Sequence, residues 1–287
     1  MANIDNVDSI EIRPLAGVIG AEIFGVDVAS GLSNLAREQI HQAFLDHKAI
    51  FFRDQNLSPR QLVDFAGLFG KPGIYPFVKH VDDYPEIIEL LTTETDTVNF
   101  GRNWHSDTTY MPKPFLGTVL YALETPSFGG DTQFANMTAA YEALSDGMKA
   151  MLDGLHAVNS SAQKRLGGRA NKMKALSAMK DTYVKESEPI EAVHPVVRTH
   201  PETGEKALYV NRSHSVHFDG MTEEESEPVL KYLFDHCTRP EFLCRFRWEP
   251  GSIAVWDNRC TLHQAIGDYF GSRRRMHRVT LEGDAPA

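Results

Sequence analysis

The sequence predicts a mainly β fold, a barrel or sandwich with a few helices, rather than alternating β/α units. Three observations carry this. Beyond residue 110, short apolar or alternating runs follow one another: "FLGTVLYAL", "DTQFAN", "AVHPVVRTH", "ALYVN", "FLCRFRW", "SIAVW" and "MHRVTLE". Only two helical stretches interrupt them, near 138–152 and 223–236. Finally, 287 residues with 42% hydrophobic and 24% charged side chains suit a soluble globular unit with a large core, and no linker divides them, so 1–287 reads as one domain.

Taken in order, "IEIRPL" and "GVIGAEIFGVDV" alternate like short strands. "LAREQIHQAFLDHK" places Leu35, Ile40 and Phe44 near helical spacing, and "AIFFR" (49–53) reads as a buried strand. "LSPRQLVDFAGLFG" starts a helix for a physical reason. Ser58 caps, Pro59 suits the first turn, Gln61 completes a capping box, and Gly70 can end the helix. In "FLCRFRW", Phe242, Cys244, Phe246 and Trp248 alternate with Leu243, Arg245 and Arg247, as in a strand buried mainly on one face. Gln163 to Lys185 is basic, glycine-containing and long for a connection. It is a lid candidate, or equally a solvated surface loop with some helix.

Bulk properties remove several function classes. A net charge of −10 disfavours a nucleic-acid partner. Cys237, Cys244 and Cys260 are odd in number and form no C-x-x-C pair, which argues against a disulfide framework or thiolate zinc and suits a reducing cytoplasm. "MANIDNVDSI" has no apolar signal region, and no apolar run approaches the roughly 20 residues a membrane span needs.

The chemistry centres on "WHSDTTY" (104–110). In a strand, residues i and i+2 share a face, so His105 and Asp107 would point together at one metal ion. Two histidines and a carboxylate on one face of an octahedron form the non-haem Fe(II) oxygenase pattern. His-x-Asp alone is weak, and His217-Phe218-Asp219 repeats it. That second pair precedes a capping box, Thr222 with Glu225, so Asp219 reads as a turn residue. "WDNRCTLHQAIGDYFGSRRRMHR" offers His263, then Arg274 and Arg278. If 274–278 is extended, Arg274, Met276 and Arg278 share one face, with the two arginine Cα atoms roughly 13 Å apart. That spacing suits two anions flanking a metal. The plainer reading is an arginine-rich edge strand paired with surface acids. "GGDTQF" makes a turn and opens a strand at Thr132, by itself only a loop signal.

Together these clusters resemble the taurine and aryloxyalkanoate dioxygenases, the TauD/TfdA family of iron(II)- and 2-oxoglutarate-dependent enzymes. The likeness runs from "GAEIFGVDV" to "LEGDAPA" and is densest in "WHSDTTY", "GGDT", "AAYEALS", "HPVVRTHPETGEKALYVN" and "WDNRCTLH…RRRMHR". The resemblance implies a double-stranded β-helix, a jelly-roll barrel with helices outside. By position it implies His105, Asp107 and His263 as Fe(II) ligands. Arg274 and Thr132 match the residues that hold the distal carboxylate of 2-oxoglutarate, and Arg278 the arginine that grips the substrate's anionic end. The implied reaction uses O2, releases succinate and CO2, and hydroxylates a small anionic substrate (sulfonate, sulfate ester or carboxylate such as an aryloxyalkanoate). Where a heteroatom adjoins the hydroxylated carbon, the product falls apart. Thr108 falls on the substrate side. His214 falls where the family has an aromatic pocket residue. Where taurine-specific members place a histidine, a tyrosine and an asparagine, this chain has Tyr75, Val78 and Gly101. A substrate amine would then lack partners, at about 1–3 kcal/mol each. This argues for an acid more apolar than taurine, with a taurine dioxygenase proper as the alternative. A homo-oligomer, dimer or tetramer, is expected. A non-catalytic metal-binding barrel is the alternative of another class, and the pair Thr132 and Arg274 counts against it.

Overall fold

A computed structural model describes residues 10–97, 99, 101–162 and 188–287. The lid candidate at 163–185 lies outside them.

The chain opens with β1 (Glu11–Pro14) paired to β2 (Ala21–Phe24), then α1 (Asn34–His47) and β3 (Ala49–Phe52). α2 (Pro59–Ala66) carries the expected capping box between Ser58 and Gln61. It stops at Gly67 rather than Gly70. Tight turns at Leu68 and Phe69 follow, and they tuck Phe69 against Phe65 and Phe44. Gly70 serves packing instead, since a Cβ there would meet Leu116 at 3.0 Å.

The next strands are β4 (Pro72–Gly73), β5 (His80–Val81), β6 (Tyr84–Thr92), β7 (Gly117–Glu124) and β8 (Thr132–Asn136). The helical stretch expected near 138–152 is two helices, α3 (Met137–Glu142) and α4 (Asp146–Leu152). Ser145 breaks it by accepting a hydrogen bond from the Met148 N–H as a new N-cap. There follow β9 (His156–Ser160), β10 (Glu191–Pro195), β11 (Val197–Thr199), β12 (Lys206–Leu208), β13 (Ser215–Phe218) and α5 (Glu223–Cys237), started by the Thr222–Glu225 capping box. The chain closes with β14 (Leu243–Phe246), β15 (Ile253–Asp257), β16 (Thr261–Ala265) and β17 (Arg274–Leu281).

Two sheets position the site. The large one runs β1-β2-β3-β15-β7-β17-β6-β5, with β4 also on β17. The small one runs β14-β8-β16. Between them lies a core containing Phe51, Leu120, Phe134, Phe246, Ala254, Trp256 and Met276. The other face of the large sheet packs Ile50, Phe52, Val119, Val255 and Val279 against Ile40, Phe44, Leu62 and Phe65 of α1 and α2. Burial on both faces explains why β3, β7 and β15 read as continuous apolar runs. Outside the small sheet, Ala135 and Leu262 pack on α3 and α5. The three cysteines are free and buried. Among the described residues, no helix is long and apolar enough to cross a membrane.

Candidate metal and cosubstrate site

His105, Asp107 and His263 converge between the sheets, with one ligand atom from each lying within 4.8 Å of the others. His217 and Asp219 do not join them. His217 bonds through Nδ1 to the Phe218 carbonyl, and Asp219 is exposed beside the α5 cap.

The reason for the convergence differs from strand alternation. His105 forms an isolated antiparallel bridge with His263, and the two exchange backbone hydrogen bonds of 3.1 and 2.8 Å. Asp107 instead begins a turn. Thr108 adopts φ 54°, a left-handed backbone conformation that is costly for a β-branched residue, and it bends the chain so that the carboxylate returns toward the rings. The Thr108 hydroxyl accepts the Phe115 N–H at 3.1 Å, so it staples this turn.

The three groups have the protonation states that metal ligands need. His105 Nδ1 lies 2.7 Å from the Asn103 carbonyl, which can only accept, so Nδ1 carries the proton and Nε2 presents its lone pair. His263 is packed beside Trp256 and Phe134, with ring centroids 4.7 and 6.3 Å away. Burial, and then the neighbouring His105, push its pKa well below the usual histidine range and keep it neutral. Burial alone would raise the Asp107 pKa. The Arg278 guanidinium and the Thr118 hydroxyl outweigh it and hold the carboxyl ionised, far below the usual carboxylate range. Two neutral imidazoles and one carboxylate fit a divalent metal.

The two oxygens of Asp107 have separate duties. Oδ2 accepts from the Thr118 hydroxyl at 2.9 Å and Asn258 Nδ2 at 3.3 Å, and lies 2.8 Å from Arg278 Nη2. Oδ1 faces the histidines, 3.8 Å from His105 Nε2 and 3.9 Å from His263 Nε2. One oxygen is thus left for a metal.

His105 and His263 line a pocket that is partly open to solvent, together with Gly101, Leu90, Leu120, Thr132, Tyr269, Arg274 and Arg278. β17 supplies both arginines. Arg274 and Arg278 face the pocket, flanking Met276. Arg275 and Arg273 face outward, paired with Glu89 at 2.6 Å and Glu124 at 2.8 Å. The strand is therefore a pocket wall on one face and a salt-bridged surface on the other. Arg274 is buried, and its Nε has no hydrogen-bond partner among the described residues. Arg278 Nε is likewise without one, and its guanidinium lies 5.1 Å from the centre of the Tyr75 ring. Arg278 has Asp107 as its charged partner, Arg274 has no ion pair among the described residues, and the Nε–H of each can still donate to an acceptor.

Tyr75 thus reaches the site through Arg278, and Gly101 lines the pocket directly. A Cβ on Gly101 would stand 3.5 Å from the His105 ring. Val78 is buried in the core cluster with Tyr75, Phe77 and Tyr110, behind the pocket wall. His214 bonds the Thr109 hydroxyl at 2.9 Å and sits edge-on to His105 at 6.3 Å, adjoining the metal group rather than the cavity. Thr118, Asn258, Trp248 and Tyr269 escaped the sequence reading. Asn258 lies inside "WDNR", so its adjacency to His263 was the one usable signal.

The family model "Taurine catabolism dioxygenase TauD, TfdA family" matches residues 11–280. An alpha-ketoglutarate-dependent sulfate ester dioxygenase of Pseudomonas putida is 35% identical over 100% of this chain and 94% of its own length. An (S)-phenoxypropionate/alpha-ketoglutarate-dioxygenase of Sphingobium herbicidovorans is 34% identical over 96% of both chains. The crystal structure of a taurine dioxygenase from Burkholderia xenovorans superposes with a TM-score of 0.82 at 38% identity, covering 97% of this chain and 91% of that one.

Proposed function

The chain belongs to the TauD/TfdA family of alpha-ketoglutarate-dependent dioxygenases, and from that premise we propose that it uses Fe(II), 2-oxoglutarate and O2 to oxidise a small organic acid more apolar than taurine. The favoured substrates are oxygen-linked acids, alkyl sulfate esters or aryloxyalkanoates, whose oxidation at the carbon bearing that oxygen leads to C–O cleavage. The observation that carries this reading is Arg278. It is a buried cation with an unpartnered Nε, beside a metal-ligand carboxylate and among apolar and aromatic walls.

When bound, the iron and 2-oxoglutarate supply oxidative decarboxylation coupled to insertion of oxygen into a C–H bond. The protein's own contribution is orientation and exclusion of water. His105, Asp107 and His263 would hold the metal. Arg274 clamps the distal carboxylate of 2-oxoglutarate with a planar fork that a lysine cannot copy, and Thr132 adds a hydroxyl. Arg278 fixes the substrate anion, so a C–H a few bonds away is presented to the metal. Leu90 and Leu120 give that apolar body a wall. A taurine amine would find no side-chain partner at Val78 or Gly101. We also read the chain as a cytoplasmic homo-oligomer, and the exposed Phe128 and Phe270 offer apolar surface that assembly would cover.

The test is substrate-stimulated succinate release across taurine, longer alkylsulfonates, alkyl sulfate esters, aryloxyacetates and aryloxypropionates, with neutral analogues. An anionic substrate with more apolar bulk than taurine is expected. Efficient taurine turnover overturns the pocket reading, and a neutral analogue accepted equally well removes Arg278 from the substrate. Anaerobic Fe(II) with 2-oxoglutarate should give a weak visible charge-transfer band, which a non-catalytic binding protein would lack.

A further inference from the structure

The end of the pocket that holds Thr132 and Arg274 contains a tryptophan with no assigned role. Trp248 lies two residues past β14, nearly fully buried, its ring set edge-on to Phe246 at 5.0 Å. Its indole Nε1–H donates to the Thr132 hydroxyl at 2.9 Å. Its ring also faces the Arg274 guanidinium, 5.6 Å from centroid to carbon. One side chain therefore touches both members of the carboxylate clamp.

An indole N–H can only donate, so the hydroxyl it contacts must accept. Thr132 then keeps its own proton to give, and among the described residues no protein acceptor takes it. Arg274 offers donors only. Behind it the pocket is closed by Tyr269, whose hydroxyl lies 3.2 Å from that of Thr92, the residue opposite Arg274 in the ladder. We propose that Trp248 is a positioning residue for the cosubstrate. It fixes Thr132 as a donor and backs the Arg274 guanidinium, so this end of the pocket reads an acceptor-only carboxylate. The proposal rests on the assignment of Thr132 and Arg274 to 2-oxoglutarate.

Trp248→Phe keeps an aromatic face beside Arg274 and deletes the N–H together with part of the ring. Because Trp248→Phe also removes part of a buried ring, the experiment measures urea unfolding alongside the KM for 2-oxoglutarate, kcat at saturation, and calorimetric affinity for 2-oxoglutarate in the Mn(II)-loaded protein without O2. These are taken for wild type, Trp248→Phe, Thr132→Val and the double variant. The expected result is a weakening by on the order of threefold to tenfold in both KM and affinity for each single variant, with kcat nearly unchanged. The double variant should be no weaker than Thr132→Val, because the indole acts through the hydroxyl. If Thr132→Val weakens binding and Trp248→Phe does not, or if the two effects add, the proposal is overturned. If Thr132→Val and Arg274→Lys both bind normally, the clamp assignment itself is wrong. The wild-type protein supplies a second measurement should Trp248→Phe fail to fold. The 5-amide of 2-oxoglutarate presents an N–H to a clamp that offers only donors and should bind at least tenfold more weakly than the acid. Equal binding overturns the proposal.

Discussion

Thr118→Val isolates the hydroxyl that cradles Asp107. Threonine and valine have nearly the same shape, so the substitution opens no cavity. It removes the 2.9 Å hydrogen bond to Oδ2 and leaves a methyl group facing an ionised, buried carboxylate. Hydrogen bonds to charged groups contribute about 1.5–3 kcal/mol. Asn258, at 3.3 Å, is too long to replace the lost bond fully, and Arg278 at 2.8 Å is already engaged. The metal-free variant should therefore be less stable by about 2 kcal/mol. With Oδ2 less restrained, the carboxylate can rotate and Oδ1 is no longer held toward the histidines. Partners of metal ligands typically contribute about tenfold to a hundredfold in metal affinity. Urea unfolding reads the first effect, and anaerobic titration with Mn(II) or Fe(II) reads the second. Thr118→Ser, which keeps the hydroxyl, should recover most of both. An unchanged metal affinity together with unchanged unfolding in Thr118→Val would refute the idea that Oδ2 is held so that Oδ1 can bind.

Three further outcomes are expected. His105→Ala and His263→Ala should abolish 2-oxoglutarate decarboxylation while keeping a cooperative melt, and His217→Ala should remain active; Asp107→Asn should also be inactive but less stable, because Arg278 loses its charged partner. Arg274→Lys should raise the KM for 2-oxoglutarate by about tenfold or more, since a point charge replaces a bidentate fork; steady-state kinetics with varied cosubstrate check it. Asp257 accepts from His200 at 3.0 Å and from Arg259 at 2.6 Å. Although burial opposes it, these partners pull its pKa down to about 2. A depressed carboxylate stabilises the fold above its unfolded pKa near 4, and that contribution, about 2 kcal/mol, is lost as pH falls from about 4 to about 2. Asp257→Asn should flatten the urea-stability profile in that window, and a profile identical to wild type would exclude the residue.

The chain's periodicities disclosed some elements and concealed others for physical reasons. α2 and α5 were legible because capping boxes are local chemistry. β3, β7 and β15 were legible because double burial makes a continuous apolar run. β6 was not, because Pro85, Glu86 and Glu89 interrupt its alternation, and Glu89 is there to pair with Arg275. His105, Asp107 and His263 were named by resemblance, while the spacing of the first two suggested a strand where the structure has a bridge and a strained turn. Nothing local in the sequence marks Thr118 or Trp248. Thr118 reaches Asp107 from the neighbouring sheet strand, and Trp248 reaches Thr132 across more than a hundred residues, so only the packed sheets bring them together.

The reciprocal bond pair between His105 and His263 has a consequence for how freely this pocket can vary. In a hydrogen-bonded antiparallel pair the two Cα atoms stand about 5.5 Å apart whatever the side chains are. The separation of the two imidazoles is therefore metered by backbone rather than by packing, and pocket-wall residues can be exchanged without retuning it. Asp107 has no such backbone gauge and depends on its turn and on Thr118, Asn258 and Arg278. Drift in the substrate pocket should consequently be most free at apolar wall residues such as Leu90 and Leu120. It should be least free at Arg278, where the proposed anion grip and the carboxylate's alignment are the same side chain.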